Sequence, residues 1–75
     1  MKPGDLVQFA ADDETWNDDI AGRLGLVTAV HQALDSKRYK FIFDVIVDGK
    51  LKLGIGYLHY WGGGYSPVRV INEAR

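Results

Sequence analysis

The residues best suited to chemistry are aromatic, and they cluster near the C-terminal end of the chain. Residues 56–66 read Gly-Tyr-Leu-His-Tyr-Trp-Gly-Gly-Gly-Tyr-Ser. Tyr and Trp rings are enriched at interaction hot spots, and the flanking glycines would leave these rings uncovered. We interpret His59, Tyr60, Trp61 and Tyr65 as a candidate surface for a protein partner. The alternative is that some of these rings close one end of the core.

A second candidate is an acidic segment around Trp16. Its carboxylates are those of Asp12, Asp13, Glu14, Asp18 and Asp19. Such a loop can bind a basic partner, or it can serve only to keep the chain in solution. The spacing lacks the alternating ligands, central Gly and terminal Glu of a calcium-binding EF-hand, so no metal site is predicted. A large ring among acids either packs back on the fold or marks a contact point, and Trp16 joins the predicted partner surface.

Basic residues form the third candidate. Arg23, Lys40, Lys50 and Lys52 could make a modest basic patch on one sheet face. Charged side chains also protect exposed sheet faces and edges from aggregation, which is the other interpretation. A nucleic-acid-binding protein usually has a basic excess, whereas this chain has a net charge of −1 and a pI of about 6.0. The charge balance therefore disfavours nucleic acid as the partner.

No catalytic arrangement emerges from the remaining polar residues. His31 and His59 have no Ser, Cys or metal-ligand set near them in sequence, and the glycines at 62–64 are not followed by the lysine of a phosphate-binding loop. We predict no catalytic residue, no cofactor and no metal. The chain lacks cysteine, which fits a reducing compartment. With no apolar run long enough for a membrane span or a signal peptide, we expect a cytoplasmic protein without a membrane partner.

The elements that must position these residues are short β-strands. Two alternating apolar runs flank Asp48-Gly49, the strongest short-range signal of a two-residue β-hairpin. The first run, at 39–47, directs Phe43, Val45 and their alternate neighbours to one face. The second run is predicted to be two-faced. Leu51, Leu53 and Ile55 share its apolar side, and Lys50 and Lys52 share the other.

Further strands are predicted at 6–9, 22–30 and 68–71, with a long acidic loop at 10–21. Val7 and Phe9 should point inward from the first of them. Seventy-five residues make one domain, 1–75, which buries only about 60% of its unfolded surface. Exposed apolar residues such as Ile42 and Ile46 leave self-association or docking on a partner open. Five short strands predict an all-β small barrel, since closing a sheet removes its edges.

The spacing of several motifs resembles SH3-like barrels of the KOW and ribosomal-protein type. Gly4-Asp5-Leu6-Val7, followed by Gly22-x-x-Gly25-Leu26-Val27, is similar to the first two strands of those domains. The tail from Gly64 to Val70 is similar to the end of eukaryotic SH3 domains. The resemblance implies an SH3-like five-stranded barrel. It also implies, as an alternative function, a nucleic-acid-binding KOW-like domain.

A second resemblance is to short orphan proteins of tailed phages, including marine and cyanobacterial phages. It lies in Lys2 to Val7, Leu24 to Val27 and Val45 to Lys50. It implies a phage-encoded protein of the host cytoplasm or the virion. The leading hypothesis is a non-enzymatic interaction module that acts through protein contacts. The third hypothesis is a small oligomeric enzyme whose site forms between subunits, as in type II dihydrofolate reductases, whose Val-Gln-Ile-Tyr strand is absent here.

Overall fold

Five antiparallel strands form a single sheet in the computed structural model, which describes residues 1–34, 37–59 and 66–73. In chain order, β1 to β5 are Leu6–Phe9, Leu24–Gln32, Tyr39–Val47, Lys50–Leu58 and Val68–Asn72. Their order across the sheet is β4-β3-β2-β1-β5. The described part of the chain contains no helix. The prediction of an all-β chain with five strands is therefore confirmed.

The core lies on one face of this sheet. Val7 and Phe9 of β1, and Phe43 and Val45 of β3, are completely buried, as their alternation in the sequence predicts. Buried residues from the other segments complete the core: Ile20, Val27, Val47, Leu58 and Val68. Because the strands supply nearly all of the core and the described residues form no second layer, the sheet can bury its apolar face only by curving around it.

The hairpin between β3 and β4 forms as its sequence predicts. Val47 pairs with Lys50, which leaves Asp48 and Gly49 as the two turn residues. Their φ angles are 52° and 75°, the positive values that a type I′ turn requires. The hairpin turn is thus determined locally by an Asp-Gly pair.

The prediction that Leu51, Leu53 and Ile55 share one face of β4 is wrong. The two-residue turn pairs Lys50 with the buried Val47, and a β-bulge further along returns Ile55 to the core side. Phe43 pairs with Ile55 but Val45 pairs with Lys52, so Asp44 is opposed by the two residues Leu53 and Gly54. Directly opposed residues share a face, so Lys52 lies on the core side. Leu51 and Leu53 lie outside the core instead, 56% and 69% exposed.

The acidic loop between β1 and β2 is held against the sheet at several points. At its neck, the N–H of Phe9 donates to the carbonyl of Arg23, and the N–H of Gly22 donates to that of Phe9. Further along, Ile20 is buried in the core with 5% of its surface exposed. The loop is a packed part of the domain, although its carboxylates point to solvent.

The sheet is open rather than closed. Its two edges are β4 and β5, and these strands do not pair with each other within the described residues. The expectation of a closed or nearly closed sheet is therefore not met. What the structure establishes is an all-antiparallel sheet of five strands with one core.

Candidate functional site

A groove of about 240 Å³ opens between the acidic loop and the β3–β4 hairpin. Three separate segments line it: Trp16 and Ile20 come from the loop, Arg38 and Tyr39 from the start of β3, and Ile55 from β4. The groove therefore lies at the end of the sheet remote from the Asp48-Gly49 turn. Small-molecule pockets occupy about 300–1,000 Å³, so this space suits one or two side chains of a partner better than a cofactor.

Trp16 forms one wall of the groove and is anchored on its inner side. Its ring meets Phe9 edge to face, with the ring centroids 4.9 Å apart and the planes at 78°. Its Nε1–H donates to the carbonyl of Pro67 at 2.8 Å. The ring thus packs back on the fold while part of it still faces the groove, which is how Trp presents a fixed contact surface.

Tyr39 forms the opposite wall of the groove, and the sequence did not predict this role. Tyr39 contacts the backbone of β4, where a Cβ built on Gly56 would lie 2.4 Å from the tyrosine ring. The Arg38 guanidinium lies 5.8 Å from the centroid of the same ring, within the range of a cation–π contact. A glycine opposite an aromatic residue is a usable signal of close packing, but Gly56 looks like an ordinary part of the glycine-rich run. Ile20 carried a clearer signal, since it is an aliphatic residue next to a run of acids.

The loop that lines the groove also carries five carboxylates, and they divide into two sets. Asp13 accepts a hydrogen bond from the N–H of Thr15 at 2.8 Å, and Asp19 is paired with Lys52. Asp12, Glu14 and Asp18 are exposed and form no ion pair with any residue that the structure describes. Glu14 and Asp18 directly adjoin the groove-lining residues Thr15 and Asn17 in the sequence, so the loop offers negative charge near the groove.

The predicted basic patch is not assembled as a single free surface. Arg23 is paired with Asp48, and Lys52 with Asp19. The hydrogen bond from Lys52 holds the pKa of Asp19 below its ordinary value of 3.8, opposed by partial desolvation, and the charge of Lys50 acts in the same direction as Lys52. Lys40 lies at the other end of β3, about 23 Å along the strand from the turn. Two of the four bases are thus paired with the chain's own carboxylates, and Lys50 contributes only its charge near Asp19.

The predicted aromatic surface falls mostly outside the described residues. Tyr60, Trp61 and Tyr65 are not among the residues that the structure describes. His59 is exposed at the end of β4, and its backbone N–H donates to the carbonyl of Arg38 at 3.2 Å. Of the five predicted partner-binding residues, Trp16 lines the groove, and His59 is joined through its backbone to the groove residue Arg38.

On the opposite face of the sheet, Asp44 links three strands. Its carboxylate lies 3.0 Å from Nε2 of His31 on β2, and it accepts the N–H of Gly54 at the β4 bulge at 3.1 Å. The hydrogen bond with His31, followed by that from Gly54, holds the pKa of Asp44 below its ordinary value of 3.8. The bulge leaves that N–H without a strand partner, and Asp44 supplies one.

Acid should therefore weaken the domain through Asp44. A carboxyl group whose pKa is lowered by folding stabilises the native state above its unfolded pKa, and that contribution is lost as pH falls through the lower native pKa. We expect the urea midpoint to fall on acidification below pH 3.8. Asp44→Asn should lower the midpoint at pH 7 and flatten this acid dependence. Asp18→Asn, at an exposed loop position, should leave the curve unchanged; an equal flattening in both variants would contradict the role of Asp44.

Among the described residues, no three His, Asp or Glu side chains are grouped as ligands for a metal ion. The same residues include no helix long and apolar enough to cross a membrane. Comparisons of the chain with protein families, with curated proteins and with solved structures found no match.

Proposed function

We propose that the chain is a non-enzymatic interaction module that binds a segment of a protein partner in the groove beside the acidic loop. The observation that carries this proposal is the pair of aromatic walls, Trp16 and Tyr39, together with three carboxylates of the same loop that have no ion-pair partner among the described residues. Rigid aromatic rings supply contact area without a large entropic loss on binding.

The chemistry of the groove indicates the kind of segment that would fit. An apolar or aromatic side chain would fill the space between Trp16 and Ile55, where the lining is mainly apolar. Basic side chains on either side of it would meet Asp12, Glu14 and Asp18. The partner is therefore a protein segment that combines an apolar anchor with lysine or arginine.

The distribution of charge favours protein over nucleic acid. A nucleic-acid site needs cations that are free to replace the counterions of phosphate. Arg23 and Lys52 are instead paired with Asp48 and Asp19, and the open carboxylates beside the groove would repel phosphate. No observation favours the third hypothesis, an enzyme formed between subunits.

The finer identity of the fold belongs to the same proposal. The strand order and the long loop between β1 and β2 are compatible with an SH3-like barrel that is left open between β4 and β5. In that arrangement, loops at one end of the sheet carry the binding surface. Encoding by a phage stays a prediction that rests on the sequence resemblance alone.

A selection from a displayed peptide library tests the proposal. We expect the enriched peptides to carry basic residues around an apolar residue and to shift the NMR signals of the Trp16 indole N–H and the Ile55 methyl groups. The double variant Glu14→Gln/Asp18→Asn should weaken their binding roughly fivefold, since each exposed charge pair contributes about 0.2–1 kcal/mol. Glu73→Gln, a matched neutralisation after β5, should leave the affinity unchanged.

Two outcomes would count against the groove. The first is a selection that enriches no peptide. The second is an enriched peptide whose NMR shifts map away from Trp16 and whose affinity is the same for the double variant and for the Glu73→Gln control.

A further inference from the structure

A row of aliphatic side chains crosses the sheet on the face that points away from the core. Leu26 pairs with Leu6 on one side and with Ile46 on the other, and Ile46 pairs with Leu51. These four residues therefore lie side by side on β1, β2, β3 and β4. Leu26 is 44% exposed, Ile46 37% and Leu51 56%.

The row is continuous, and this continuity distinguishes it from ordinary surface leucines. Neighbouring strands lie about 4.8 Å apart, so three intervals give a stripe about 14 Å wide. Leu24 and Leu53, also exposed, each lie two positions from the row, along β2 and β4, and enlarge it. Single exposed aliphatic residues need no explanation, but contiguous apolar patches on small proteins mark sites of association.

The charges around the row favour a second copy of the chain over a charged partner. At the hairpin end, Arg23 and Asp48 form an ion pair, and at the other end His31 lies next to Asp44. Arg69, which donates to Gln8 on the same face, adds a second arginine, so the border carries two arginines and two aspartates besides the histidine. A phosphate backbone or an anionic membrane needs a positively charged surface, which this mixed border does not provide. A copy related by a two-fold axis can instead place each charged group opposite one of the other sign.

A symmetric interface on this face would have an apolar centre and a polar rim. Stable complexes bury about 800 Å² on each partner, around an apolar centre with a polar rim. The aliphatic row would supply the centre, and the paired charges would supply the rim. Two sheets packed face to face interdigitate their side chains in this way.

We propose that two copies of this chain associate through the outer face of the sheet, with the row Leu6, Leu26, Ile46 and Leu51 at the centre of a symmetric interface. Ile55, which lines the groove, pairs with the buried Phe43 and lies on the opposite, core-facing side of the sheet. The proposal does not depend on what the groove binds.

Sedimentation equilibrium of the full chain, up to about 1 mM, tests the dimer. We expect the mean mass to rise with concentration toward twice the chain mass of 8.4 kDa. Leu51→Lys would place a charge in the apolar centre and should raise the dissociation constant about tenfold or more. Leu34→Lys makes the same change at a leucine that is 78% exposed in the loop after β2, and it should leave the dissociation constant unchanged.

Circular dichroism of each variant separates loss of association from loss of fold. Ile46→Thr keeps a β-branched residue in the strand while adding a hydroxyl group to the row, and it should also weaken the dimer. A chain that remains a monomer up to the highest concentration overturns the proposal. So does a dimer that forms equally well in Leu51→Lys, Ile46→Thr and Leu34→Lys.

Discussion

Replacing Phe9 with alanine should lower the free energy of unfolding by about 3–5 kcal/mol. Phe9 is completely buried, and its ring contacts both the acidic loop and β3. It stacks on Phe43 of β3 at a centroid distance of 6.4 Å and receives the edge of Trp16 at 4.9 Å. A single core in so small a domain rarely supplies more than about 3–5 kcal/mol, so the variant should be largely unfolded at 25 °C.

Urea unfolding followed by far-ultraviolet circular dichroism measures this effect. Phe41→Ala is the matched control, because Phe41 is only half-buried and stacks on Tyr57 at the margin of the core. It should cost clearly less than Phe9→Ala. If the two variants lost equal stability, Phe9 would not hold the central position that its contacts indicate.

Replacing Phe9 should also change the wall of the groove. The outer wall of the groove is the Trp16 ring, which is supported from beneath by Phe9 and held by the Pro67 carbonyl. In Phe9→Leu, which retains apolar volume and should fold, we expect Trp16 to lose its fixed orientation, because the edge-to-face contact is gone. The core and the candidate site therefore share one residue.

Gly25→Ala should destabilise the domain by about 1–3 kcal/mol through overpacking. Gly25 lies on β2 between β1 and β3, and it is buried. A Cβ at this position would lie 2.5 Å from Cγ2 of Val45 and 3.2 Å from Cε2 of Phe9. Both neighbours are completely buried, so neither side chain can move aside into solvent. The backbone would have to shift instead, and strand pairing on both sides of β2 opposes that shift.

A double-mutant cycle identifies the cause. If the contact with Val45 dominates, then Gly25→Ala/Val45→Ala should be more stable than the sum of the two single effects implies, with a coupling of about 0.5–3 kcal/mol. Urea midpoints for the four proteins give this coupling directly. Strict additivity would show that the cost arises elsewhere, for example from Phe9 or from the backbone.

Features set by neighbouring residues could be read from the sequence. The Asp48-Gly49 turn needs only two positive φ angles, and Asp and Gly accept them whatever surrounds the turn. The alternation in β1 and β3 gave the correct buried faces, because the period of a strand is fixed by its backbone geometry. These local rules led to the five strands and the all-β class.

The bulge in β4 required the tertiary structure. Gly54 has a φ of 70°, and a glycine within an alternating run is compatible with a bulge but does not by itself determine one. The bulge depends on Asp44, ten residues away, which accepts the N–H of Gly54. The two-residue turn places Lys52 opposite Val45 on the core side, where it meets Asp19, and leaves Leu51 and Leu53 on the outer face. The bulge then returns Ile55 to the core side.

The candidate site was also predicted only in part from the sequence. The sequence marked Trp16 and the acidic loop as notable because of their composition alone. It could not reveal that Tyr39 and Ile55 lie across from Trp16, since residues 16, 39 and 55 meet only after three segments have packed on one core. Residue types and strand period were determined by the sequence itself. The groove, the pairing of the bases and the apolar outer row were decided by long-range packing, which no local pattern encodes.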